Sequence, residues 1–470
     1  MRNNKAVFLL VMVMMCAGPL VFADETGEES VGSAAVAPAD ETSDENEKPE
    51  QEIPATISPE SRVEASSGKT FGTEVVFVDE PHFRLASKEL VNGRPKYDYF
   101  LYVKAKLNGV YDIEGGLQDQ ETFNVGRIDV WGTDDSNRFW MDMHQSQVRL
   151  RGQNETKYGP VVGYLEGDFW GGSKGFRLRH LWIDYKFVHF GQDWSFFGDK
   201  EIWPNVFDWD GPPSGVWRRE PELKFYFGGD SGWRYEFGIA NPGAELTFNT
   251  DIDAAVTPTN QSAPDFIVAL NKTTGFGHLR LTGIYRHLKY KTAGTEDSVA
   301  GYGATVSGFI GTGKDKKNPI QFQLVAGQGI ATYLVSFSGL NYDAAPDGDG
   351  NMKAIPTYGG WASYEHWFGD KWHGNVVAGY EDFQTHRIDS YEIPGPDYQA
   401  ENSEVTATHY YGLVNVMYDW LPNFVLGVEY NWGKKDTVHQ GSIDTGDEVV
   451  ARIEKGRVAQ RISFGVFFNF

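Results

Sequence analysis

Several charged residues alternate with apolar ones, so that short stretches carry one charged and one apolar face. Arg149 and Arg151 flank Leu150; Glu166 and Asp168 alternate with Leu165, Gly167 and Phe169; Arg177 and Arg179 flank Leu178. Period-two alternation marks a half-buried β-strand. If these stretches are neighbouring strands, one face carries basic, acidic and basic rows in succession. Arg218 and Arg219 stand where a long aromatic-rich segment returns to a strand, and Arg280, Arg286 and Arg461 add charge to later stretches. Across water, such rows set up a transverse field that attracts and orients anions. The competing reading is that Arg pairs with Asp or Glu across strands and only braces the wall. Arginines outnumber acids on these faces, which favours the field.

Two other motifs carry no chemistry. Residues 308–315, GFIGTGKD, have the spacing of a phosphate loop but end on Asp315 where Ser or Thr would meet magnesium, and no helix follows. They read as a turn. Residues 347–351, DGDGN, resemble the start of a calcium loop, but Met352 replaces the required glycine. They read as a solvated loop, with calcium the lesser alternative. The eleven histidines show no ligand spacing. No catalysis, metal or cofactor is expected.

The elements that would position these charges are strands. Aromatics make up 14 % of the chain and glycines number 54, which favours an all-β architecture. From Tyr99 onward, alternating runs bounded by Gly, Asn, Asp and Pro give sixteen strands: 100–113, 138–151, 160–170, 175–186, 187–196, 221–228, 232–240, 264–272, 275–290, 299–311, 317–330, 355–368, 371–383, 405–420, 422–434 and 455–470. Connections after odd-numbered strands are mostly long (114–137, 197–220, 241–263, 331–354, 384–404, 435–454), with a short link at 171–174 and a medium one at 291–298; those after even-numbered strands are tight. Loops sorted by length onto two ends are the mark of an outer-membrane barrel. In the last stretch Val458, Ile462, Phe464, Val466, Phe468 and Phe470 share one face, while Arg457, Ala459, Arg461, Ser463, Gly465 and Asn469 share the other, with Phe467 out of pattern. No apolar run is long enough for a membrane helix after residue 23, so lipid could be crossed only by a closed barrel. Charge on the lipid face would cost about 2–4 kcal/mol per residue near the midplane, so the arginines must face the lumen. Trp140, Trp170, Trp182, Trp233, Tyr364, Trp367, Trp420 and Trp432 suit interfacial girdles. The segment 197–221 holds Trp203, Phe207, Trp209 and Trp217 with Pro204, Pro212 and Pro213. Four aromatics need cover, which predicts a loop folded into the barrel and narrowing it.

The N-terminus reads as a signal peptide cleaved after Ala23, with Arg2 and Lys5 before an apolar run. The one cysteine, Cys16, lies inside it. Residues 24–66 hold thirteen acids and two bases, with no Leu or aromatic, and read as a disordered periplasmic segment. Residues 67–98 form a transition containing one strand-like run, 73–78, and residues 99–470 form the barrel. Net charge is −23, which argues against nucleic acid as a partner.

The ordered series GPVVGYLEGDFWGG (159–172), FRLRHLWIDYKF (176–187), GQDWSFF (191–197), FDWDGPPSG (207–215), FGHLRLTGIYRHLKY (276–290), GYGATVSGFIGTGKD (301–315) and VLGVEYNWGKK (425–435) resembles the DcaP-like porins over residues 100–470. The resemblance implies an all-β transmembrane sixteen-stranded antiparallel β-barrel with an inward-folded constriction loop, assembled as a homotrimer. It also implies an arginine-bearing constriction and passive uptake of small anions, dicarboxylates in particular. Arg149, Arg151, Arg177 and Arg179 fall in the matching basic stretches; Arg218 and Arg219 precede Pro221, where the family tends to place Arg near Pro. The acidic segment 24–66 departs from members that begin with a periplasmic coiled coil. The combined expectation is an outer-membrane porin with a periplasmic N-terminus, surrounded by outer-membrane lipid, admitting small anionic solutes, and read by the barrel-assembly machinery through Phe470. A carbohydrate-selective or general porin is the nearer alternative; a barrel enzyme or adhesin is the more distant one.

Overall fold

The computed structural model describes residues 82–469 except 118–119, 131, 133–135, 229–230, 247–255, 259, 293–294, 314–316, 347–350, 385–404, 422 and 443–449. The signal peptide, the acidic segment, the run 73–78, the DGDG of the candidate calcium loop, and Phe470 lie outside the described residues.

Sixteen antiparallel strands close into a barrel. They are β1 (Tyr97–Glu114), β2 (Arg138–Asp142 continued by Gln147–Thr156), β3 (Gly159–Asp168), β4 (Arg177–Tyr185), β5 (Val188–Trp194), β6 (Arg219–Gly228), β7 (Trp233–Ala240) and β8 (Asp265–Thr274). They continue as β9 (Gly277–Thr292), β10 (Thr295–Thr312), β11 (Asn318–Gln328), β12 (Pro356–Trp367), β13 (Trp372–Phe383), β14 (Val405–Leu421), β15 (Phe424–Ser442) and β16 (Val450–Asn469). Closure is made by β16 on β1, running from Gln460 opposite Glu114 to Asn469 opposite Lys104. Pairing every edge leaves no open backbone row to desolvate in lipid. Below Lys104 the edge of β1 that β16 vacates is covered by a short strand, Phe83–Ala86, whose Arg84 pairs with Asp98 on β1. The described part of the transition segment, from residue 82, therefore contributes a strand to the sheet.

The alternation read from the sequence sets which side chains meet lipid. Ile462, Phe464 and Phe468 on β16, Trp233, Tyr235, Phe237 and Ile239 on β7, and Leu279 and Leu281 on β9 are exposed, while the residues between them are buried or half-buried. Trp233, Tyr364 and Trp420 point outward as girdle residues should. Trp182 does not: it is buried inside against Tyr164. Trp140 stacks near Arg461, Trp170 near Arg177 and Trp367 on His373, all on the inner face. Tryptophan at a strand end fits either face, and only register decides.

Tight connections follow the even strands and long ones most odd strands. At the long-loop end β15 and β16 run further than their alternation suggested, leaving 443–449 between them, and β9 and β10 join across 293–294. Residues 308–312 belong to β10, and Gly313, at φ 76°, turns the chain. That stretch is a strand end and turn, as its flanking strands required.

Candidate functional site

The barrel is filled from its long-loop end. The β5–β6 connection (195–218) runs around the inner wall. Thr282 on β9 donates to the Phe197 carbonyl (2.8 Å), and Asp199 lies 2.7 Å from His278 Nε2 and accepts from Ser307 Oγ (2.8 Å). Further on, the Asn205 carbonyl accepts from Asn375 and Asn415 (2.9 and 3.0 Å). The Glu429 carboxylate on β15 accepts the backbone N–H groups of Phe207 and Asp208 (2.8 and 3.0 Å), and is steadied by Asn415 and Asn431. Phe207 then stacks on Phe467 (4.7 Å). Phe467, the residue out of pattern on β16, faces inward because it anchors this loop. Lys106 donates to the Phe207 carbonyl (2.5 Å) and lies 3.9 Å from the Trp209 ring.

One inward loop was expected, but other connections join it. Leu117, Phe123, Val125 and Ile128 of the β1–β2 connection bury against Tyr411, Leu413 and Ala459. Ile330, Tyr333, Leu334 and Phe337 of the β11–β12 connection bury against Phe196, Phe197, Ile267 and Phe383. Leu246, between β7 and β8, packs on Tyr290 and Ala344. These loops also bind one another: Asp208 accepts from the Phe123 N–H (2.5 Å), Asn124 donates to the Val335 carbonyl (3.1 Å), and Val216 bridges to Leu334.

This filling divides the sequence-derived arginines into two groups. Arg280, Arg286 and Arg461 face inward but are covered by loops. Arg280 pairs with Glu236 (3.0 Å), Arg286 with Asp265 and Asp343 (3.0 and 2.9 Å), and Arg461 with Asp112 (2.6 Å). Arg461 and Arg286 are 0 % exposed, so neither lines water, nor does Arg280 at 4 %. Their sequence reading as solute-facing gives way to wall pairing, because alternation reports the inner face and not what covers it. Arg218 is likewise engaged, pairing with Glu220 (3.3 Å) and donating to the Gly243 carbonyl (3.2 Å) and to Thr332.

The second group forms the basic–acidic–basic wall. Arg177 grips Asp168 with two hydrogen bonds (2.9 and 2.6 Å) yet keeps 34 % side-chain exposure. Arg179, at a bulge between β3 and β4, reaches Glu166 (2.6 Å) and Asp168 (2.9 Å). Arg149 stands opposite Glu166 in register, with its guanidinium near the Tyr102 ring, and Arg151 lies near Phe100. Arg219, at the start of β6, lies 4.9 Å from the Trp194 ring, and Arg179 5.9 Å from that ring. No ion pair engages Arg219 among the described residues, and its buried Nη1 has no hydrogen-bond partner there. Arg151, Arg177, Arg179 and Arg219 are half-buried on this wall with Glu166 and Asp168, whereas Arg149, at 3 % exposure, is as covered as Arg280 and does not line water.

On the 195–218 loop Trp203, Trp209 and Trp217 are half-exposed. Trp194 stacks on Trp203 (6.1 Å) and Trp203 touches Trp217 (3.8 Å). Asp210 lies on the same loop, where burial and the neighbouring charge of Asp208 push its carboxyl up to about 6. Glu429, Lys106 and Trp194 escaped the sequence reading. Phe467 was visible only as a break in the alternation.

A closed sixteen-stranded barrel with loops folded into its lumen is a porin-type fold. Among solved structures, the outer membrane channel DcaP of Acinetobacter baumannii is similar at a TM-score of 0.64 and 17 % identity, covering 82 % of this chain and 100 % of that one. The anion-selective porin from Comamonas acidovorans is similar at a TM-score of 0.50 and 12 % identity, over 80 % of this chain and all of that one. At these identities the likeness is one of fold, and it is the fold that the resemblance to DcaP-like porins implied. No family model matches the chain, and no curated protein matches it.

Proposed function

We propose that this chain is an outer-membrane porin, with its N-terminus in the periplasm, through which small anionic solutes, dicarboxylates and similar organic acids among them, diffuse passively. The observation that carries the reading is the half-buried wall of Arg151, Arg177, Arg179 and Arg219 with Glu166 and Asp168, which adjoins the inward loop where Trp194 stacks on Trp203. An ion passing this wall sheds part of its hydration near more guanidinium than carboxylate charge, and local field outweighs the negative net charge of the chain. Arg177 and Arg179 are ion-paired but have donors in a fork that can serve a second carboxylate. Arg219 supplies a charge that forms no ion pair with a wall acid among the described residues. A homotrimer is proposed, as the sequence resemblance to DcaP-like porins implies, and Phe470 is proposed as the residue read by the barrel-assembly machinery. Reversal potentials across planar bilayers in a salt gradient test the substrate reading: a potential of anion-selective sign is expected, and cation preference would overturn it. Liposome swelling with succinate against maltose separates this from a sugar porin, for which the half-exposed Trp194, Trp203 and Trp217 are the favouring observation.

A further inference from the structure

At mid-wall, β2 breaks between Asp142 and Gln147, and its chain turns through Met143–Ser146 before resuming. Three ligating side chains meet at this break. His144 Nδ1 lies 2.9 Å from Glu121 Oε2, which belongs to the inward β1–β2 connection, and 3.8 Å from Asp142 Oδ1. One ligand atom from each of the three lies within 4.8 Å of the others. We infer that Glu121, Asp142 and His144 form a site for one divalent transition-metal cation of the zinc class, binding the inward loop to the barrel wall.

Four observations support the assignment. A nitrogen with two carboxylates is a zinc-type donor set. Zinc–ligand bonds of about 2.0–2.2 Å place tetrahedral ligands roughly 3.3 Å apart, so the 2.9 and 3.8 Å separations from His144 need shift by about half an ångström, and the Glu121–Asp142 separation, within 4.8 Å, by at most about 1.5 Å. The Asp142 side chain is 3 % exposed, and its Oδ2 is buried with no hydrogen-bond partner among the described residues. Burying a carboxylate oxygen without a donor is unfavourable unless something cationic meets it. Among those residues no lysine or arginine is ion-paired with Glu121 or Asp142; histidine is the partner of both. Finally, Glu121 and His144 open onto a cavity of about 280 Å³ also lined by Phe169, Trp170, Ser173 and Lys174, which gives water room to complete the coordination. The neighbouring group His189, Asp193 and Glu222 has similar spacing. There, however, Lys200 meets Asp193 (2.9 Å) and Lys224 meets Glu222 (3.4 Å), so its charge is already answered.

The test is equilibrium dialysis of the full chain, folded in detergent and stripped with chelator, against Zn²⁺ alone and against Ca²⁺ alone. One Zn²⁺ per chain is expected, with Ca²⁺ bound at least tenfold more weakly. Glu121→Gln, Asp142→Asn and His144→Gln should each lower Zn²⁺ affinity 10- to 100-fold while retaining the heat-modifiable gel mobility of a folded barrel. Absence of Zn²⁺ binding, binding unchanged in the triple variant, or preference for Ca²⁺ would overturn the assignment. None of these readouts depends on conductance, so failure here leaves the porin reading untouched, and failure of that reading leaves this one.

Discussion

Replacing Phe207 with alanine should release the 195–218 loop from the wall. The ring is 2 % exposed and lies nearly parallel to Phe467, at 4.7 Å and 12°. It fits a slot that two glycines leave open: Gly427 and Gly465 pair in register, and a Cβ on either would come within 2.3 and 2.5 Å of the Phe207 ring. Truncating such a buried aromatic costs about 3–5 kcal/mol. At about 1.4 kcal/mol per tenfold, the docked population falls by roughly two to three and a half orders of magnitude relative to the undocked one. The Glu429 clamp on Phe207 and Asp208 remains, so the loop should sample both states. Single-channel recording should show a higher mean conductance or flickering between two levels, and weaker ion discrimination. Gly465→Val, which fills the slot from the other side, should act in the same direction. Phe207 is not on a strand, so the barrel should still assemble, as gel mobility would show. A folded Phe207→Ala channel with conductance, noise and selectivity equal to those of the unaltered protein would refute the claim that this loop limits passage.

Arg461→Ala should destabilise the barrel by up to about 3–5 kcal/mol, since it leaves the buried Asp112 only its longer pair with Arg138 (3.7 Å); denaturant melting checks this, and reversal potential should hardly move. Arg219→Gln should lower the anion-to-cation permeability ratio by up to about thirtyfold, because a unit charge about 4 Å from a passing ion in water contributes about 1 kcal/mol, favourable to an anion and unfavourable to a cation; an unchanged ratio would remove Arg219 from the selective wall. Acidification from pH 7.5 to 5 should strengthen anion preference. With its carboxyl at about 6, Asp210 is ionised above that value and neutral below it, so the lumen loses a negative charge as pH falls. Asp210→Asn should flatten that part of the profile, and an identical profile in the variant would exclude Asp210 as its source.

The barrel was legible because its signal is repeated. Sixteen alternating runs, each weak alone, share one sorting of loop lengths, and a single misjudged boundary does not alter the count. The interior was less legible. The sequence offers Arg177 and Arg280 in the same guise, a basic residue between apolar ones, yet Arg177 keeps water and Arg280 lies under the Phe196 carbonyl. What separates them is which connection folds over which strand, and a strand's own pattern holds no record of that. The 195–218 loop betrayed its burial through four aromatics. The β1–β2 and β11–β12 connections hold comparable apolar residues, Phe123 and Ile128 or Tyr333 and Phe337, but spread among glycines and acids that read as solvated.

The covered arginines repeat one arrangement that explains why a porin-type wall holds charge where no solute reaches. Arg280 binds Glu236 and the Phe196 carbonyl, Arg286 binds Asp265 and the Gly329 carbonyl, and Arg461 binds Asp112 and the Gln120 carbonyl. Each pairs a wall carboxylate with a loop carbonyl. A loop entering a barrel carries backbone carbonyls that lose water and find no strand partner, which is costly unless a donor awaits them. An apolar inner wall could not supply one, and a lysine would offer a point charge rather than a fork spanning both acceptors. The inward face is therefore charged for two uses: where water persists, for the field proposed to act on a permeating ion, and where it does not, to hold the loops. Alternation alone cannot tell these uses apart, but substitution can, because the first alters permeability in a stable barrel and the second alters stability.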